Sequence, residues 1–465
     1  MPGNDQTNAA LGTARSAAAQ IFIHSFPLMV AEAVRRCHPL AFHQFQLLNE
    51  ESAILAPGLD DDDPRLVASS AWIDLAAEPV VLRLPPARGR YLSLTLIDAT
   101  GEPFTSLGSR TEDDNGIDLA LVGPNWRGEL PSGLTARRAP TEGVWALSRI
   151  YAHSTVDRAE ALSIARRQCI ALLRQEVLWP RPSLPLLEAP VASCVRQVFE
   201  LTADLFFHRL DSVLDRAPVA HQRATRLSLA TPRAQLGGPQ ETLAWSPEFS
   251  QVLDEGLADG AAAIRAAADS SRSEGLGWRA VGSRVNGASA NALTRAARAY
   301  VGLGAPTRDD VLSLICDRDE GGRPLSGADN YRIHFPPDGL PPVDAFWSMS
   351  PQPAPSGAHR VSLGDRSDLS QNRDGSVDIL MQPKTPEPDH LLNWLPEPEG
   401  RFQLVAKLYW PREEALSGAW RMPLVERLGS GASRRLRSSQ STQPPFRIPP
   451  MSDLNSSPLA WRASP

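Results

Sequence analysis

The stretch from Tyr331 to Trp420 constrains the fold more than any other part of the chain. It opens with the alternating run Tyr331-Arg332-Ile333-His334-Phe335, breaks at Pro336-Pro337-Asp338-Gly339, and resumes from Pro341 to Ser348. Leu363-Gly364-Asp365-Arg366, Asp374-Gly375-Ser376, Asn393-Trp394-Leu395-Pro396 and Leu408-Tyr409-Trp410-Pro411 follow. Apolar runs this short, closed by Pro, Gly and Asp, specify strands and tight turns. Composition agrees: 42 prolines in 465 residues is roughly twice the average usage of about 5 %. Proline breaks helices and keeps to turns and strand edges, so short elements are favoured.

A second strand-rich region lies nearer the start. Val80, Leu82 and Leu84 alternate with their neighbours, as do Leu92, Leu94 and Leu96, which is the period of a half-buried sheet. Asp98 to Gly101, Gly123-Pro124 and Pro131 to Gly133 punctuate it, and Val144 to Ile150 reads as a further strand. Helical spacing appears elsewhere. Thr13 to Arg36 predicts a helix that Pro27 should kink or split. Val156 to Gln175, Val191 to Arg216, Pro247 to Ala268 and Ala288 to Leu303 predict others, the last capped at Gly302-Leu303-Gly304. In the last module, Asp317 to Gly322 reads as a turn. Asn372-Arg373-Asp374-Gly375 is a hairpin signal beside Val377, Ile379 and Met381. Phe402, Leu404, Ala406, Leu408 and Trp410 line one face of a long strand, with Lys407 and Tyr409 on the other.

These signals divide the chain. Residues 1–19 are expected to be a flexible N-terminus, 20–155 a helix plus a β-rich module, and 156–287 a helical connection. Residues 288–428 form a second β-rich module, and 429–465, rich in Ser, Pro and Arg, a disordered tail. A length of 465 residues suits two or three domains. The net charge of −6 is too small for a broad electrostatic grip on nucleic acid. No basic region precedes an apolar core at the N-terminus, and no run reaches the ~20 apolar residues of a membrane span, so a soluble, cytoplasmic protein is expected.

Familiar catalytic signatures are missing: no His-Glu-x-x-His, no P-loop, no Gly-x-Ser-x-Gly and no full dinucleotide fingerprint. Cys37, Cys169, Cys194 and Cys316 are scattered, so no metal site is expected and no cofactor is indicated. The remaining candidates are polar or aromatic residues at strand ends. Asp98, Arg110, Arg149, Trp347, Asp365 and Arg366 are the ligand-binding set, with His334 a further polar position. Converging arginines grip carboxylates or phosphates bidentately, whereas an arginine pinned by a nearby Asp holds a loop. Trp126, Trp145 and Trp394 suit stacking on a ligand or filling a core.

These residues also resemble a known family. Ala71-Trp72-Ile73-Asp74-Leu75, Gly108-Ser109-Arg110-Thr111 and Val122 to Pro131 carry the N-terminal likeness. Gly302 to Ala305, Pro341 to Ser348, Leu363 to Arg366, Asn393 to Pro396 and Tyr409-Trp410-Pro411 carry the C-terminal one. The chain resembles two-domain bacterial proteins built from the domains of unknown function numbered 1254 and 1214, as a divergent member. It departs at Pro64 to Ala68, where the family has a polar run. It departs again at Met349 to Ala358, where the family's hairpin is longer, and at Arg360-Val361, where Arg-Tyr is usual. The resemblance implies an α+β fold of two β-sandwich-like, jelly-roll type modules joined by helices, and no particular reaction. Two functions stay open: a small anionic molecule bound or acted on between the modules, or a non-catalytic role in assembly or partner binding. Exposed sheet edges make a homo-oligomer an expectation as well.

Overall fold

The computed structural model of the chain describes residues 3–36, 42–48, 65–87, 89–112, 115–154, 156–175, 186–187, 192–216, 245–273, 277–281, 291–353 and 361–429. Cys37, the acidic run Asp60 to Asp63 and the expected tail beyond Gly429 lie outside these residues. The fold is α+β, with four sheets and several helices.

The N-terminal module holds two of the sheets. The larger runs Leu186–Leu187, Gln46–Leu48, Leu66–Asp74, Gly143–Tyr151, Leu92–Asp98, Pro103–Gly108. The smaller runs Thr135–Arg138, Ile117–Val122, Val80–Leu84, Cys169–Leu172. Leu92, Leu94 and Leu96 point from the larger sheet into a core shared with Val80, Leu82 and Leu121 of the smaller one. The C-terminal module repeats the arrangement. Arg279–Val281, Val311–Cys316, Phe402–Pro411, Val343–Pro353 and Leu363–Gly364 form one sheet; Trp394–Leu395, Val377–Met381, Asn330–Phe335 and Glu426–Leu428 form the other. Leu404, Ala406 and Leu408 meet Tyr331, Ile333 and Phe335 in its core.

A helical layer covers part of the larger N-terminal sheet. Its first helix, Gly3–Arg36, runs unbroken through Pro27. Phe22, Phe26, Met29 and Val30 on both sides of the proline are buried, so packing holds the helix together across the missing hydrogen bond. It begins well upstream of the expected start, which corrects the flexible N-terminus: Ala14, Ala17 and Ala18 are buried. They meet the long helix Pro247–Ser273, where a β-carbon on Gly256 would lie 2.4 Å from the Arg15 carbonyl oxygen. The helix is long and apolar enough to cross a membrane, but 67 % of its most apolar window is buried inside the protein, where it serves as a core helix.

Three sequence expectations change. Only Arg158–Arg167 of the expected helix at Val156 to Gln175 is α-helical; Gln168 turns the backbone to extended geometry, Cys169–Leu172 pairs with Val80–Leu84, and a single 3-10 turn follows at Leu173–Gln175. Val191 to Arg216 divides into Ala192–Phe199 and Ala203–Arg216, the second opening where the Ala203 amide donates to Asp254 Oδ1 at 2.6 Å. The turn at Asn372 to Gly375 forms, with Gly375 at φ +86°, but launches no hairpin. The strand after it, Val377–Met381, pairs with the much earlier Asn330–Phe335.

Candidate functional site

The second face of the larger N-terminal sheet carries the polar groups of interest. Side chains alternate along a strand, so when Leu92, Leu94 and Leu96 enter the core, Ser93 and Thr95 point the other way. Cross-strand register sets Ser93 opposite Arg149, Thr95 opposite Leu147, Leu147 opposite Ser70, and Ser70 opposite Gln46. Strand by strand, this face therefore presents Gln46, Ser70, Arg149, Ser93 and Thr95, and every one is buried.

The C-terminal module closes over one end of that face. Tyr151 meets Phe346 with ring centroids 4.1 Å apart, Tyr91 meets Tyr409 at 5.2 Å, and Phe346 stacks on Tyr409 at 4.0 Å. The Arg65 guanidinium sits over Tyr151 and Phe346. On the C-terminal side, Lys407 lies two residues from Tyr409 on the same face, flanked in register by Ser313 and Ser348. All three are buried. The segment after the helix Ala292–Gly302 closes the other end. Arg149 Nη2 donates to the Gly304 carbonyl at 3.0 Å, while Ala305 packs on Ile315 and Val405. Gly304 takes φ +85°, and a β-carbon there would lie 2.7 Å from Trp145, so glycine alone permits this approach. Arg149 and Lys407 therefore stand on facing sheets, between the aromatic cluster and the Gly304–Ala305 strap.

Residues 43–169 match the family described as protein of unknown function DUF1254, and residues 310–413 match protein of unknown function DUF1214. The two matches give a two-domain protein of unknown function. The seam between the Arg149 face and the Lys407 face, the slot, thus lies where the DUF1254 and DUF1214 domains meet. The chain is also similar to the VPA0106 protein from Vibrio parahaemolyticus, with 20 % identity over 90 % of this chain and 100 % of that one, and a TM-score of 0.63. That likeness is one of fold. An uncharacterized protein from Burkholderia cenocepacia aligns over 90 % of this chain and 96 % of its own at 13 % identity, with a TM-score of 0.44. No curated protein matches.

Of the six ligand-binding candidates named from the sequence, only Arg149 lies in the slot. Arg110 donates through Nε to Asp310 at 2.9 Å, and Asp310 also receives Ser106 and Thr307. This pair ties the DUF1254 domain to the strap leading into the DUF1214 domain. Arg366 is exposed and donates to the Ala345 carbonyl at 3.0 Å; its neighbour Asp365 accepts from the Trp347 amide at 3.0 Å. Burial pushes the Asp365 carboxyl above its ordinary range. Trp347 fills the DUF1214 core beside Phe335. Asp98 is a turn residue, its Oδ1 accepting from the Thr100 amide at 2.9 Å, the Thr100 hydroxyl at 2.6 Å and the Glu102 amide at 3.1 Å. His334 pairs with Asp378 at 2.8 Å. Trp145 stacks on Trp72 at 5.5 Å and donates to Ser70, so it is a wall of this face.

Gln46, Ser93, Thr95 and Lys407 escape a reading of the sequence. One signal points to two of them. Between Tyr91 and Ile97 the residues alternating with leucine are Ser and Thr, with no charged side chain, whereas a solvated strand face normally carries charge. Among the described residues no group of three or more His, Cys, Asp or Glu is placed to hold a metal ion.

Proposed function

We propose that this protein binds a small anionic molecule in the slot between its two domains, with Arg149 as the principal cationic contact and Lys407 facing it. One observation carries the reading. The side-chain polar atoms of Gln46, Ser93 and Thr95 are buried on the Arg149 face and meet no hydrogen-bond partner. An unsatisfied buried hydroxyl or amide costs about 1–3 kcal/mol, so the Ser93 and Thr95 hydroxyls, two residues apart on one strand beside Arg149, point to a guest that completes them. A carboxylate or phosphate supplies acceptors for the Ser93 and Thr95 hydroxyls and a counter-charge for a guanidinium. The tyrosine cluster forms a rigid apolar wall for the body of the guest. Each pair of sheets is read as a sandwich-like, jelly-roll type module, which makes the slot a cleft between two stiff bodies. The protein is read as soluble and cytoplasmic.

Thermal-shift measurements against small carboxylates, inorganic phosphate and neutral sugars test the proposal. Anions should raise the unfolding midpoint and neutral sugars should not; a panel with no anion response removes the proposal. A second reading has its own support. Arg110 and Arg366 are satisfied internally, and the edge strand Thr135–Arg138 is exposed along its whole length, which suits a non-catalytic role in assembly. Light scattering that gives only a monomer at every concentration would remove that second reading.

A further inference from the structure

At the far end of the same sheet face, beyond the Trp72–Trp145 stack, lies a cavity of about 390 Å³, within the range of small-ligand pockets. Trp72, Leu28, Ala31, Phe42 and Val213 line it, drawn from the sheet, the first helix and the helix Ala203–Arg216. The lining is mostly apolar, and its charges are unbalanced. Glu32, Asp74 and Glu142 face a single cation, Arg35. Arg35 is already engaged, with Nε 2.6 Å and Nη2 2.7 Å from the two Glu32 oxygens and its guanidinium over the Phe42 ring. Arg36 adds a further donor to Glu32 at 2.9 Å.

The other two carboxylates lack a cation among the described residues. Asp74 accepts only the Ala76 amide through Oδ1, and nothing described pairs with the Glu142 side chain. They stand together, because Asp74 is the register partner of Gly143, the residue after Glu142. The nearby His43 brings no charge: its Nδ1 is buried without a partner, and burial pushes its pKa down. Two uncompensated carboxylates at the mouth of a cavity floored by indole attract a positive charge. The face of an indole adds to that attraction.

We propose that this cavity is a binding site for an organic cation with an apolar body, a substituted or quaternary ammonium, its charge held between Asp74 and Glu142 and its body against Trp72 and Phe42. The site is separate from the slot and of opposite charge preference, so it stands whether or not the slot binds anions. Neutral molecules of the same shape fill the apolar lining but leave the carboxylates hydrated, and bind more weakly.

Isothermal titration calorimetry with phenyltrimethylammonium chloride, its neutral isostere tert-butylbenzene and benzoate tests the assignment on the full-length chain. The cation should bind, benzoate should not, and the isostere should bind at least tenfold more weakly than the cation. Glu142→Gln should weaken the cation five- to tenfold and leave the isostere unchanged. Ala76→Trp, a substitution at an exposed lining position, should block both. Glu399→Gln, on the distant DUF1214 domain, should change neither. Equal affinity for cation and isostere, undiminished cation binding in Glu142→Gln, or no heat with any of the three probes overturns the proposal. Because Glu142→Gln and Ala76→Trp lie outside the core, circular dichroism that matches the wild type ties any loss to the site.

Discussion

One sheet face, read from end to end, makes two very different surfaces. At the Arg149 end its rungs are Arg149 with Ser93, next to the Tyr91 and Tyr151 contacts with the DUF1214 domain, then Leu147 with Thr95 and Ser70, where Leu147 already joins the helical core. At the other end the rungs are Trp72 with Trp145 and then Asp74 with Gly143, closed over by helices and open to solvent at the mouth. The strands and their alternation are the same. What differs is the cover: toward the second sheet a guanidinium and the Ser93 hydroxyl face inward, while under the helices lie indoles and a carboxylate rim. Charge preference is therefore set by the packing partner as much as by the strand that carries the side chains.

The contrast is open to perturbation. The largest effect belongs to the wall between the two ends. Trp72→Ala removes the stacked indole and should cost about 3–5 kcal/mol of stability in urea unfolding, because a cavity opens beside Trp145, which loses its parallel partner and keeps its hydrogen bond to Ser70. Arg149→Met should cost about 3 kcal/mol, at the upper end for hydrogen bonds to charged groups, since the buried Gly304 carbonyl loses its donor. A cost below 1 kcal/mol would mean that the guanidinium does not organise the slot.

Thr95→Val acts in the opposite direction. The hydroxyl is buried and unpartnered, so replacing it with a methyl of the same shape should stabilise the free protein by about 1 kcal/mol while weakening anion binding. A destabilised Thr95→Val would show that the hydroxyl is already satisfied. A buried orphan outside both ends gives the most specific effect. Glu397 has both carboxyl oxygens buried without partners, and burial, with Asp329 nearby, pushes its pKa up to about 8 from 4.5. The folded state then holds a proton that the unfolded state has released, so wild-type stability falls as pH rises from about 4.5 to 8 and levels off above. Glu397→Gln should remove that fall, which has a slope of at most about 1.4 kcal/mol per pH unit. Parallel pH curves for wild type and variant would contradict it.

Strand positions were legible because leucines and valines at alternate places need a core, and Leu92, Leu94 and Leu96 find one. The opposite faces were not, because a buried polar face and a solvated one alternate identically. Lys407 reads as a solvent residue until the DUF1254 domain is known to cover it. Arg110 and Arg366 stood out in the sequence for their motifs, yet they hold a strap and a loop. Arg149 stood out for the same reason and alone faces the slot. No local pattern separates the three, since the difference lies in which carbonyl or carboxylate the fold brings within reach. Gln46 left no sequence signal. Its burial depends on a strand of three residues pairing at the sheet's margin.

The most direct measurement of the central claim is calorimetric titration of malonate and of inorganic phosphate into the wild type, Thr95→Val and Arg149→Met. Binding to the wild type, weakened severalfold in Thr95→Val and lost in a folded Arg149→Met, is the predicted result. At a hundredfold excess over its dissociation constant the same anion should stabilise the wild type by about 2.7 kcal/mol. Undiminished binding in Arg149→Met, or no binding to the wild type, would contradict an anion site between the domains.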